Sequence, residues 1–455
     1  MLDLALTGFV FALLALGLRR PFVWVLAYLY IDILTPQRIS WGLLASLPIS
    51  LIAFLLAFGG WLMLDAKNDT RFTLRQGLIA LLLVYCGMTT LAADYPDSAV
   101  EKWAWVWKAL FFAIFLPLTL RTRLRIEAAT LLIVLTVGAI VICGGIKTLA
   151  GGGGYGTLRL FVADNAGIYE GSTLSTIAIA VVPLIWWLAR FGTIFTPNRL
   201  VTLFALGLTF ACLLIPIGTQ TRTGLLCIAL LGVLALRSAK RRFLYAGLAS
   251  VAVLVAIPFL PESYTKRMNT IENHQSDQSA STRVAVWMWT LDYVKDHPFG
   301  GGFDAYLGNR LRVPTSKAEG SHNNVSIKTE YHEEVGRAYH SAYFEMLGEQ
   351  GYPGFLLWAW IHALGIWQME RLRRRWKGRT DAQRAWIAPL ANALQLSQMV
   401  YFVGALFIGI AFQPVMFMLI GLQCGLWSYA RRIDQPLHRA PRGQGGQPVL
   451  RVKTA

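Results

Sequence analysis

Between His340 and Phe355 the sequence reads HSAYFEMLGEQGYPGF: a histidine with a polar neighbour, Ser341, a helix-like run, then Gly351 and Gly354. Histidine ionises closest to neutral pH, so His340 is a candidate to take a proton from an incoming hydroxyl. The bland alternative is a polar helix-end residue that touches water. Two arginines deserve weighing beside it. Arg222 lies in GTQTRTG, a short link between apolar runs, and Arg283 opens the run VAVWMWTLDYVKDHP. A guanidinium grips phosphate through paired hydrogen bonds, and a helix start adds partial positive charge. The alternative for Arg222 is snorkelling at the membrane interface. One base and two outward-facing arginines suit chemistry on an anionic, lipid-linked substrate.

The remaining polar candidates carry less. Asp164, Asn165 and Glu170 lie in AGGGGYGTLRLFVADNAGIYEGS, where they could orient a sugar or cap the next helix. The glycines of that stretch lack the ending of a phosphate loop and read as a connector. His274 and His322 fall in polar segments, His362 in an apolar run, and His297 before a proline, where it could cap carbonyls. His332 with Glu333 and Glu334 superficially resembles a metal cluster, but no histidine stands four residues away, so no metal is expected. Cys86, Cys143, Cys212, Cys227 and Cys424 sit in apolar runs without paired spacing, which argues against a disulfide framework or a zinc site.

These residues must be positioned by a very apolar chain. Of 455 residues, 55% are hydrophobic and 15% charged, against about 25% charged in soluble domains. Apolar runs of bilayer-crossing length recur from Leu2–Leu18, through Leu43–Leu64 and Phe243–Leu260, to Val415–Ala430. They predict an all-α polytopic membrane protein with about 12–13 transmembrane helices. The start of the chain reads as a first helix and not as a cleaved signal peptide. The net charge of +17 sits mostly in alternate short loops, as membrane insertion dictates, so nucleic acid is not an expected partner. Placing those loops in the cytoplasm leaves 35–42, 92–102, 150–173, 217–224 and 261–353 on the other side.

Four parts follow: transmembrane helices over 1–260, a large periplasmic loop or cap over 261–353, C-terminal transmembrane helices over 354–432, and a disordered cytoplasmic tail over 433–455. The 261–353 loop is far longer than a connector, and its tryptophans and tyrosines predict a small helical cap. In it, Ser281 or Thr282 suits an N-cap. Val284, Trp287, Leu291 and Val294 mark an apolar face, and Gly300–Gly302 read as a flexible exit. Lys108 is the conspicuous charge inside an expected span.

The pattern His340-Ser341, nine residues, Gly351, two residues, Gly354-Phe355 resembles the motif of the O-antigen ligase and polymerase superfamily. TQTRTG, STRVAVWMWTLDYVKDHPFGGGF and the early RRPFVWVLAYLYIDILTPQRISWGL are similar to landmarks of the subgroup described as O-glycosylation ligases associated with exosortase systems. The resemblance implies a GT-C-like membrane glycosyltransferase of the bacterial inner membrane, working on the periplasmic face. Such an enzyme moves a glycan from undecaprenyl diphosphate to an acceptor hydroxyl on a glycan, lipid or protein. It does so with inversion and without a metal or other cofactor. Carried over, His340 is the base, Arg222 and Arg283 hold the diphosphate, and Ser341, Gly351 and Gly354 shape the motif. Lys266, Arg267, Arg310 and Arg312 rival Arg283. A polymerase of the same superfamily is the first alternative. A lipid-linked glycan transporter is the second, and it calls for charges along the spans, where few stand.

Overall fold

The computed structural model describes residues 2–67, 70–151, 154, 158–162, 166–237, 278–319, 326–381 and 383–434, with isolated positions between 241 and 251. Apart from those positions, the expected span Phe243–Leu260, the start of the expected cap and the tail from Gln435 lie outside the described residues. So do Asp164 and Asn165.

The chain is an all-α polytopic membrane protein with a small hairpin among its described residues. Among the described residues its longer helices are α1 (Leu2–Arg19), α2 (Phe22–Leu34), α3 (Ile49–Leu64), α4 (Leu74–Leu91), α5 (Pro96–Thr119), α6 (Arg123–Leu149), α7 (Gly171–Phe191), α8 (Arg199–Gly218), α9 (Arg222–Leu236), α10 (Gln278–Asp296), α11 (Ala342–Arg375), α12 (Ile387–Ala405) and α13 (Pro414–Asp434). By length and composition α4, α6, α7 and α8 can each cross a membrane, and α2, α3 and α9 are shorter apolar helices. The expected single span Leu43–Leu64 is instead a turn over Leu43–Ser46 followed by α3, divided at Pro48. Proline supplies no backbone N–H to continue a helix from the preceding turn.

Helix starts are fixed locally. Thr73 and Gln76 close a reciprocal capping box on α4, and Thr122 and Asn198 cap α6 and α8. Each satisfies amides that a helix end leaves open. At one end of the bundle the basic residues converge. Asp65 accepts from both terminal nitrogens of Arg125 at 2.6 and 2.8 Å. Glu370 gathers Arg373, Arg374 and Arg237 at 2.6–3.1 Å, tying α9 to α11. This is the basic end; the opposite end carries the cap.

The cap is not purely helical. β1 (Arg310–Glu319) and β2 (Ser326–Val335) form an antiparallel hairpin, Arg310 opposite Val335. His332 is on β2 opposite Val313. Asn309, fully buried, closes the hairpin base: its amide donates to the Arg337 carbonyl at 2.7 Å and accepts from the Arg337 N–H at 2.9 Å. Helix α10 packs on α11 and β1. It begins at Gln278, so Ser281 and Thr282 lie within it and neither is the N-cap. The buried stripe is Thr282, Val286, Thr290 and Val294, while Val284 and Leu291 are 53% and 42% exposed. Periodicity misplaced the face because Thr290 donates to the carbonyl of Val286 at 2.8 Å, which lets a hydroxyl turn inward at little cost.

Gly300–Gly302 form a docked strap, not a flexible exit. Gly301 and Gly302 donate to the carbonyls of Gly348 and Glu349 at 3.1 and 3.0 Å, and Tyr352 donates to Pro298 at 2.9 Å. On the other side Asp94 donates to Gly301 at 2.9 Å. Gly351 has φ 61° and ψ −168°, a region open essentially to glycine. A Cβ there would stand 2.2 Å from the Pro298 oxygen. The glycines permit backbone to lie on backbone, and Gly351 breaks α11 where it turns from cap to bundle. Gly351→Ala is therefore expected to destabilise the protein by more than about 3 kcal/mol. Gly207→Ala, where nothing lies within 4 Å, is expected to leave thermal unfolding in detergent unchanged.

Candidate active site

His340 sits at the mouth of α11, held in the left-handed region at φ 49°. Ser341 follows in extended conformation as the N-cap position, almost fully buried, and its carbonyl accepts the first helical N–H, from Glu345. Two contacts aim the segment. The indole of Trp287 on α10 donates to the Tyr339 carbonyl at 2.9 Å, and its ring stacks on Phe344 at 5.0 Å and 4°. On the bundle side the Tyr343 hydroxyl reaches the Phe402 carbonyl of α12 at 3.3 Å.

Half-buried, His340 is harder to protonate than an ordinary histidine. Burial is the largest cause, followed by the positive charges of Arg283 and Arg337, with Glu170 pulling the other way. Each disfavours or favours the imidazolium through solvation or charge proximity. The structure thus brings His340, Arg283 and Glu170 into one electrostatic neighbourhood and adds Arg337, which sequence reading passed over. Arg337 falls in the long 261–353 stretch that also holds Arg283.

Glu170 is the N-cap of α7. Its two oxygens accept from Ser172 at 3.0 Å and Thr173 at 2.6 Å, so capping is its observed contact. Next to it, Gly171 backs onto the link between α8 and α9, where a Cβ would meet Thr219 at 3.2 Å and Thr221 at 3.6 Å. There the hydroxyls of Ser175, Thr219 and Thr221 join at 2.9–3.1 Å. Arg222 is the first residue of α9, immediately after this knot, rather than the middle of a turn. Through Gly171 and Glu170 its helix start is contiguous with the surroundings of His340. Tyr169 extends the same surface, donating to Leu34 at 2.7 Å, and Arg38 stands 3.9 Å from a Cβ built on Gly167.

Beneath the histidine lies a charge cluster that the sequence concealed. Lys102 on α5 donates to Glu345 at 2.7 Å and to both oxygens of Glu349 at 2.8 and 3.0 Å, and Asp304 lies 3.7 Å away. Glu345 also accepts from the Ala411 N–H at 3.0 Å. Glu349 accepts from Asp304 N–H at 3.0 Å, and Ser98 donates to Asp304 at 2.6 Å. The rings of Phe303 and Phe412 cover the ammonium at 5.6 and 6.0 Å. Glu345 and Glu349 fall within the nine-residue gap of the histidine motif, one turn apart on one helix face. That spacing was the sequence signal for them.

His274 and His322 lie outside the described residues, whereas His297 and His362 have structural places. His297 Nδ1 is 3.2 Å from the Tyr293 carbonyl at the end of α10, as a cap would be. His362 is buried in α11 and paired with Gln398 at 3.1 Å. Lys108 is bonded to Ser50 at 3.1 Å, and Ser50 to Asp32 at 3.2 Å. All five cysteines are free thiols.

His340 and the arginines around it stand at one end of a multi-pass helical membrane bundle, under a folded cap. Residues 207–359 match the family described as O-antigen ligase, and residues 1–193 match a family of unknown function. None of the curated proteins matches the chain. The O-antigen ligase match covers about a third of the chain, contains Arg222, Arg283 and the whole His340 motif, and supports a likeness to the O-antigen ligase superfamily.

Removing Lys102 would leave three carboxylates facing each other in a water-poor site. Lys102→Met is expected to cost about 3–5 kcal/mol, read as a fall in thermal stability. Adding Glu349→Gln to that variant is expected to restore part of the loss. Equal stability of Lys102→Met and the parent would contradict a structural role for the cluster.

Proposed function

We propose that the protein is an inverting glycan ligase of the bacterial inner membrane, multi-pass, with its site on the periplasmic face. It moves a glycan from undecaprenyl diphosphate to an acceptor hydroxyl. The observation that carries this reading is the half-buried His340 in the neighbourhood of Arg283 and Arg337, where burial and their positive charges make it harder to protonate than an ordinary histidine. A neutral imidazole can accept a proton, and the same arginines that disfavour its protonation suit an anionic donor.

In the proposed reaction the acceptor hydroxyl approaches the anomeric carbon opposite the diphosphate. The new oxygen–carbon bond forms as the bond to the diphosphate oxygen breaks. His340 takes the hydroxyl proton, and the electron pair leaves with undecaprenyl diphosphate. Arg222 and Arg283 hold the diphosphate and stabilise the charge that grows on it. Glu170, beside its capping task, offers the negative charge that steadies the imidazolium after proton transfer. The donor is already activated as a diphosphate ester, so no step is assigned to a metal. The polyprenyl chain remains in the bilayer while the cap covers the headgroup.

The test uses the full-length protein in proteoliposomes with an undecaprenyl-diphosphate-linked oligosaccharide and candidate acceptors. His340→Ala is expected to lower kcat by about 10²–10⁴-fold with unchanged melting. Retained activity would remove the base role. Because lysine cannot reproduce the bidentate grip, Arg222→Lys is expected to weaken donor use by about 10-fold or more. An unchanged donor dependence would count against the clamp.

The pH dependence has a definite sign. Because the neutral imidazole is the active form, rate is lost as pH falls through the pKa of His340, which lies below the ordinary histidine value. Arg337→Gln removes one repulsion and is expected to move the acid limb of kcat/KM to higher pH. Glu170→Gln is expected to move it lower. Shifts of the opposite sign would overturn this electrostatic assignment. One added block per acceptor, as opposed to a ladder of repeats, would separate ligation from polymerisation.

A further inference from the structure

At the basic end, opposite His340, a cavity of about 350 Å³ opens between α6, α7 and α8. Leu135, Leu188, Phe204, Ala205 and Leu208 are among its walls, and Glu127 is its only charged lining residue. Both oxygens of Glu127 are already taken, by the backbone N–H groups of Thr193 and Ile194 and by the Thr193 hydroxyl. The lining therefore has little to offer a polar ligand, which would lose its hydration without return. An apolar chain suits it.

The surroundings say where the rest of such a ligand would lie. Leu200, Phe204 and Phe195 on the outer side are 77%, 53% and 56% exposed, as surfaces that meet lipid are. Arg190 and Arg199 are both exposed, and each stands within three residues of cavity-lining positions. The guanidinium of Arg190 lies over Trp186 at 5.4 Å, and Arg199 is the first residue of α8. Apolar walls next to basic groups at the membrane boundary complement an amphiphile with an anionic head. Polyprenyl diphosphate fits the place poorly if its head is to reach His340 at the other end.

We propose that this cavity is a binding site for one acyl chain of an anionic glycerophospholipid in the leaflet at the basic end, its phosphate held by Arg190 and Arg199. The site is separate from the transfer site and does not depend on the transferase reading. It grips α8 at its start, while the far end of α8 delivers the Thr219–Arg222 link.

The test is photolabelling of the full-length protein in nanodiscs with phosphatidylglycerol carrying a diazirine in one acyl chain. Saturable labelling within 131–135 and 200–208 is expected, competed several-fold better by phosphatidylglycerol than by phosphatidylcholine. Ala205→Phe, which fills the cavity, is expected to abolish it. Arg199→Gln, an exposed change that leaves packing intact, is expected to erase the preference between headgroups. Labelling no stronger than at Leu81 and Val84 on the lipid face of α4 would overturn the proposal. So would labelling unaltered by both variants, or displacement by undecaprenyl phosphate but not by phosphatidylglycerol.

Discussion

One ammonium group holds the cap end of the molecule together. Lys102 projects from α5 into a pocket made by Glu345 and Glu349 of α11 and by Asp304 of the glycine strap. Buried charges are tolerated only when paired and hydrogen-bonded, and here each carboxylate finds further donors. Ala411 joins the α12–α13 link to Glu345, and the Asp304 N–H joins the strap to Glu349. Three separate stretches of chain are thereby fixed to the first two turns of α11. The histidine at the mouth of that helix inherits their position.

That anchoring explains how an unfavourable backbone can persist at the site. A non-glycine residue in the left-handed region costs on the order of 1 kcal/mol or more, and His340 adopts it at φ 49°. Trp287 fixes the preceding carbonyl, the Lys102 cluster fixes the following helix, and the histidine spans the gap. The electrostatics are composed in the same economical way. Arg283 comes from α10, Arg337 from the foot of the hairpin, and Glu170 from the cap of α7. Their opposed influences on one imidazole are suited, on the proposed account, to a base that must accept a proton and then release it. Glu170 serves twice, since the carboxylate that caps α7 also makes the histidine easier to protonate.

Much of this was legible in the chain because the signals are contiguous. Apolar runs of bilayer length announce the class of fold, and the histidine motif occupies sixteen consecutive residues. What stayed hidden depends on partners distant in sequence. Nothing near Lys102 foretells Glu345 or Glu349, although their four-residue spacing marks one face of a helix. The inward face of α10 was misjudged because a threonine can satisfy its hydroxyl on its own helix and so pass for a core residue. Gly300–Gly302 suggested freedom, yet the lack of a side chain serves close packing equally well, and here it does. Arg337 and Arg38 stand in the stretches 261–353 and 35–42, which the charge alternation of the sequence sets on the same side as Arg222. The hairpin escaped because RLRVPTSKAE carries a proline and little apolar alternation, which suits an edge and not a core strand.

The central claim is a single displacement in which His340 deprotonates the acceptor while arginines hold the departing diphosphate. The most direct measurement is the anomeric configuration of the linkage made by the purified, reconstituted protein from an undecaprenyl-diphosphate donor of known configuration. The account predicts inversion at the anomeric carbon. A product that retains the donor's configuration would contradict it, because retention requires a second displacement and a nucleophile that the proposed mechanism does not contain.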